Sequence, residues 1–161
     1  MNDIQAKAVH ETTSKSDFAL LIDGQWTAGE GERLEVLDKY RLQPFATVAT
    51  ASEAQVTQMV DAAEAAFRRG APVAYERGAI LERAAQLMDG RIDDFVRTMQ
   101  AEAGFTASDA AGEVRRCIQT LKLSAEEARR LAGEMIPLEG APQQEGRLAF
   151  TLRVPLGVVA A

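Results

Sequence analysis

Apolar residues recur at helical spacing in three long stretches of this chain and at strand spacing near both ends. Val56, Met59, Val60, Ala63 and Phe67 fall every three or four residues, and Ser52 with Gln55 forms a capping box ahead of them. Gly70 and Pro72 end that helix. The spacing predicts a second helix from about Tyr75 to Gln100, with Ile80, Ala84, Leu87, Met88, Ile92, Phe95, Val96 and Met99 facing inward. Gly90 sits inside it, at a cost of about 1 kcal/mol. A third helix is expected from Thr106 to Ala132, with Val114, Cys117, Ile118, Leu121, Ala125 and Ala128 inward and Gly133 closing it.

The flanks follow other periods. Met1–Asp17 is polar and mixed in charge, and reads as a disordered leader. Leu20–Ile22 and Gln25–Thr27 flank Asp23-Gly24, a dipeptide suited to a type I′ hairpin turn. Ala28–Glu32 is a glycine-rich bend, and Arg33–Leu37 and Phe45–Thr50 are short strand candidates. After Ile136, Pro137, Gly140, Pro142 and Gly146 break helices, and Arg147–Val154 alternates polar with apolar like a half-buried antiparallel strand. Arg153–Ala161 reads as the entry to a strand covered on both faces. Such a strand takes its partners from long crossovers, and none follows. The chain is therefore expected to be the front portion of a larger protein, cut where its main sheet begins.

Composition narrows the function. At 161 residues, with 47% hydrophobic and 26% charged residues, the chain has globular values. A net charge of −6 argues against nucleic acid as a partner. No apolar run reaches the ~18 residues that span a bilayer, and the start lacks the apolar core of a secretory signal. One cysteine excludes an internal disulfide and fits a reducing compartment, so the expected location is the cytoplasm.

Four segments, in order, resemble the N-terminal region of the aldehyde dehydrogenase superfamily. They are Ile22-Asp23-Gly24-Gln25-Trp26, then Glu76-Arg77 with Ile80-Leu81 and Arg83-Ala84-Ala85, then Gly133-Glu134-Met135-Ile136-Pro137, and last Arg153-Val154-Pro155-Leu156-Gly157-Val158-Val159. The resemblance covers about Ala19 to Ala161. It departs at Asp38-Lys39-Tyr40, where the family often has Asn-Pro, and at Glu102-Ala103-Gly104-Phe105, which lacks the family's lysine. The run Glu113–Leu121 is similar to the branch acting on lactaldehyde, phosphonoacetaldehyde and other small oxygenated or anionic aldehydes.

The resemblance implies an α/β parent with a Rossmann-type cofactor domain. Within it, this segment is mainly three helices with short β-hairpin strands and a projecting arm. Residues 1–17 are then the leader, 18–134 the periphery of the cofactor-binding domain, 135–154 the start of an oligomerisation arm, and 155–161 the first strand of the nucleotide-binding sheet. The implied reaction is attack of a cysteine thiolate on a small aldehyde, oxyanion stabilisation by a backbone amide and an asparagine, hydride transfer to NAD or NADP, and release of the acid by a glutamate-activated water. The implied assembly is a homodimer or homotetramer through the arm. The family's catalytic residues have no counterpart in this chain, so no catalytic, cofactor-binding or metal residue is assigned.

The remaining reactive residues mostly read as structure. Cys117 shares a stripe with Val114 and Ile118, and a buried apolar thiol is inert. His10, the only imidazole, lies in the leader. One cysteine and one histidine cannot make a structural zinc site. Gly29 and Gly31 lack the strand, helix and third glycine of a dinucleotide loop. Acidic pairs such as Asp93-Asp94 and Glu126-Glu127 alternate with arginine, as on solvated helix faces. Arg116 points away from the apolar stripe of the third helix. The plain account is a salt-bridged surface. The resemblance makes that face the substrate entrance, where a guanidinium suits an anionic aldehyde. Arg116 is thus the one candidate substrate-binding residue. The rival to this reading is a non-catalytic helical interaction module, or a truncated relic.

Overall fold

The computed structural model describes residues 16–160. The expected leader as far as residue 15, including His10, lies outside the described residues. At Ser16 the chain is already a strand, β1 (Ser16–Phe18), so the leader does not extend to Asp17 as expected. Next comes the hairpin of β2 (Leu20–Ile22) and β3 (Gln25–Thr27). Its turn has Asp23 at φ 47° and Gly24 at φ 74°, the two positive values that a type I′ turn demands. β4 (Arg33–Leu37) and β5 (Pro44–Ala49) are antiparallel, and β1 joins β5 in parallel, giving the order β1-β5-β4.

The glycine-rich bend between β3 and β4 is a close approach of two backbones. Gly31 N–H donates to the Thr50 carbonyl at 2.8 Å, and a Cβ on Gly29 would lie 2.6 Å from that same oxygen. In the β4–β5 turn the Asp38 carboxylate accepts from the backbone N–H of Tyr40 at 2.9 Å and of Arg41 at 2.8 Å. The hydrogen bond from Arg41, together with that from Tyr40 and the Arg41 charge, holds the Asp38 carboxyl below its ordinary value. Asp38-Lys39-Tyr40 is therefore a self-capped turn.

Four helices follow: α1 (Glu53–Arg69), α2 (Ala74–Asp89), α3 (Ile92–Ala103) and α4 (Ala107–Arg130). The capping box of α1 forms as predicted. Gln55 N–H donates to Ser52 Oγ at 3.2 Å, and Gln55 Oε1 accepts from Ser52 N–H at 3.1 Å. The single helix expected from Tyr75 to Gln100 is instead α2 and α3. Gly90 caps α2, and Arg91 leaves helical geometry before α3 begins. Glycine's low propensity ends the helix here because Ile92 starts a new one whose acidic first turn, Asp93-Asp94, suits a helix N-terminus.

α4 packs across α2 and α3. Ala85, Val114 and Ile118 are buried at the centre, ringed by Met88, Ile92, Phe95, Val96, Met99 and Leu121. Two expectations fail in this core. Cys117 is exposed. The seam of α4 runs along Val114, Ile118, Leu121 and Ala125, and Cys117 stands on the flank that α2 and α3 leave open. On α2 the buried positions are Gly78 and Ala85, while Ile80 and Leu87 lie on the opposite, exposed side. Small residues won the seam because they let α4 approach: a Cβ on Gly78 would lie 2.9 Å from the Ala125 carbonyl oxygen. The stripe of α1 is likewise open, with Val56, Val60 and Phe67 exposed.

Leu131 caps α4, two residues before the expected Gly133. β6 (Met135–Ile136) and β7 (Ala149–Phe150) then pair as a short antiparallel ribbon. Arg147–Val154 was expected to be one longer strand. Only its centre is paired, and Leu148, Phe150, Leu152 and Val154 are all exposed. Residues 155–160 form no strand, and Leu156 is 92% exposed. A strand exists only where another pairs with it, and among the described residues none pairs with 155–160.

Candidate functional site

The sequence offers α4 as the carrier of any site, and the structure divides its arginines. α4 starts cleanly because Thr106 caps it, accepting from Asp109 N–H at 3.1 Å and donating to the Asp109 carboxylate at 2.8 Å. Burial of Val114 and Ile118 fixes the rotation of the helix. That rotation turns Arg115, Arg116, Cys117, Gln119 and Thr120 to solvent. The Arg116 side chain is 72% exposed and pairs with Glu113, one turn back on the same helix. Thr120 Oγ1 donates to the Arg116 carbonyl at 3.0 Å. Arg115 borders a shallow depression at the α2–α3 junction, with Asp89, Asp93, Asp94, Arg91 and Arg97.

Cys117 is a free, exposed thiol on this helix, and the one imidazole of the sequence, His10, lies outside the described residues. No cluster of three or more potential metal ligands exists among the described residues. Asp94 pairs with Arg91 at 3.4 Å and with Arg97, and Glu127 pairs with Arg130, so these acidic pairs are the solvated faces expected.

The bend at Gly29–Gly31 is not a phosphate cradle. Two of its amides are already committed: Glu30 N–H donates to Gln55 Oε1 at 3.0 Å and Gly31 N–H to the Thr50 carbonyl. The sequence showed Gln55 as a cap but not as a tie. Its side chain, 4% exposed, also donates to the Ala28 carbonyl at 2.8 Å, fastening the bend to α1. Nor could spacing reveal the α2–α4 clamp. Arg129 makes two hydrogen bonds to the Glu82 carboxylate, at 2.6 and 2.8 Å, and stacks over the Tyr75 ring at 5.7 Å. Residues 47 apart in sequence carry no local signal of that pairing.

Residues 26–161 match the aldehyde dehydrogenase family. The 3-sulfolactaldehyde dehydrogenase of Priestia aryabhattai is 40% identical over 149 residues, 92% of this chain and 31% of its own length. Aspartate-semialdehyde dehydrogenase 1 of Pseudomonas canavaninivorans is 36% identical over 80% of this chain and 27% of its own length. Aldehyde dehydrogenase 21 of Physcomitrella patens, solved in complex with the reaction product succinate, superposes with a TM-score of 0.75 at 32% identity, over 83% of this chain and 28% of that one. The chain thus spans less than a third of the length of these relatives. With the match running from the hairpin through all four helices and the ribbon, the chain belongs to the aldehyde dehydrogenase family.

Proposed function

We propose that this chain is the N-terminal portion of an NAD(P)-dependent aldehyde dehydrogenase that oxidises a small anionic aldehyde to its acid, and that Arg116 binds the anionic group. The observation that carries this is the exposed Arg116 guanidinium, held by Glu113 alone on the outer face of α4. A surface pair of this kind contributes only about 0–1 kcal/mol. A carboxylate, sulfonate or phosphonate can replace Glu113 at little cost and gain a bidentate, charge-assisted contact. The names of the relatives, which act on 3-sulfolactaldehyde and on aspartate semialdehyde, support an anionic substrate.

The residues of this chain do not by themselves make a nucleotide site. The amides of Glu30 and Gly31 in the bend are occupied, and residues 155–160 pair with no strand among the described residues. NAD or NADP, which accepts the hydride when bound, is held elsewhere in the protein, as are the nucleophile and the base. The chain alone is therefore inactive. The same reading places the enzyme in the cytoplasm as a homodimer or homotetramer, assembled through the β6–β7 ribbon, with no nucleic-acid or membrane partner. Among the described residues no helix is long and apolar enough to cross a membrane.

Arg116→Ala in the full-length enzyme tests the assignment. It should lower kcat/KM for an anionic aldehyde about tenfold or more, the loss of one charge-assisted hydrogen-bonded contact. The value for a neutral aldehyde of the same size should change little. Equal losses on both substrates would remove Arg116 from the substrate site.

A further inference from the structure

The β6–β7 ribbon leaves α4 at a point where only glycine fits. A Cβ on Gly133 would fall inside the van der Waals radius of the Thr151 carbonyl oxygen and 3.2 Å from Thr151 Oγ1. Gly133 has no positive φ in this fold, so space rather than backbone freedom demands glycine here. Beside it, Glu134 N–H donates to Thr151 Oγ1 at 2.9 Å, and Thr151 N–H donates to the Glu134 carbonyl at 2.9 Å. Thr151 thus grips the outgoing strand with its backbone and its hydroxyl. The first ladder pair, Met135 opposite Phe150, follows immediately.

We propose that Gly133 and Thr151 form a latch at the base of the ribbon that fixes its direction relative to α4 and so controls pairing with a second copy of the protein. This rests on the reading of the ribbon as the assembly arm. The ribbon is two residues per strand and has no packed layer beneath it among the described residues, so its base is what aims it. A methyl group at 133 must displace the Thr151 carbonyl by more than an ångström. The exposed row Leu148, Phe150 and Leu152 moves with it. A partner that meets this row in a fixed register then meets it out of place.

The test is sedimentation of the full-length protein, with helical circular dichroism as the check on folding. Gly133→Ala and Thr151→Val should each raise the subunit dissociation constant about tenfold or more. Thr151→Ser, which keeps Oγ1, should assemble like the wild type. If Gly133→Ala loses its helical signal, the Thr151→Val and Thr151→Ser pair decides alone. Phe150→Asp separates the two ideas, because it attacks the ribbon and not the latch. Weakened assembly in Phe150→Asp with unchanged assembly in Thr151→Val and in a folded Gly133→Ala overturns the latch and leaves the arm standing. Unchanged assembly in Phe150→Asp overturns the arm, and the latch with it.

Discussion

Cys117 shows how a single residue on the edge of a stripe escapes it. Helical spacing put it among Val114, Ile118 and Leu121, and a buried thiol truncated to alanine is expected to cost about 1 kcal/mol. The structure turns it to solvent. Cys117→Ala should therefore leave stability within about 0.5 kcal/mol of wild type. The thiol should also alkylate nearly as fast in the folded chain as in urea. Strong protection in the folded chain would restore the buried assignment. Gln55 errs in the opposite direction. Its place in a capping box was legible from Ser52 three residues before it. Its ties to Glu30 and Ala28 were not, since they depend on where a bend folds back. Arg116 was legible only as a face, because one sequence without its folded neighbours gives direction around a helix but not what stands opposite.

At the scale of elements, local chemistry was the better guide. The type I′ turn, the α1 cap and the α4 cap all follow from residues within four positions of one another. The α2 seam depended on packing, where Gly78 and Ala85 outrank Ile80 and Leu87 because they admit α4. The clamp that holds this seam has a pH signature. The hydrogen bonds from Arg129, aided by its charge, lower the Glu82 pKa, and Glu82 in turn raises that of Arg129. A lowered carboxyl contributes stability that is full above its unfolded value and fades as pH falls through the folded one. The Arg129 contribution persists until strong alkali. The stability difference between wild type and Arg129→Gln should thus be constant near neutrality and narrow on acidification below the ordinary carboxylate range. Urea unfolding across that range measures it, and a gap that stays constant into acid would mean the pair does not hold α4 to α2.

At the scale of the whole molecule, the apolar surface is the conspicuous feature. Val56, Val60 and Phe67 on α1, Ile80 and Leu87 on α2, and Leu148, Phe150 and Leu152 along the ribbon are all exposed. Apolar patches of this kind favour association, so the purified 161-residue chain should self-associate despite its charge of −6. It should keep its helical signal, because the α2–α3–α4 core is closed within the chain. Light scattering that shows a sharp monomer would mean these faces need no cover. Aldehyde oxidation by the full-length protein is read directly as NAD(P)H formation. With a small anionic aldehyde, cofactor reduction is expected at a kcat/KM well above that for a neutral aldehyde of equal length. No reduction of NAD or NADP with any small aldehyde, by a folded full-length protein, would mean that the protein is not an aldehyde dehydrogenase.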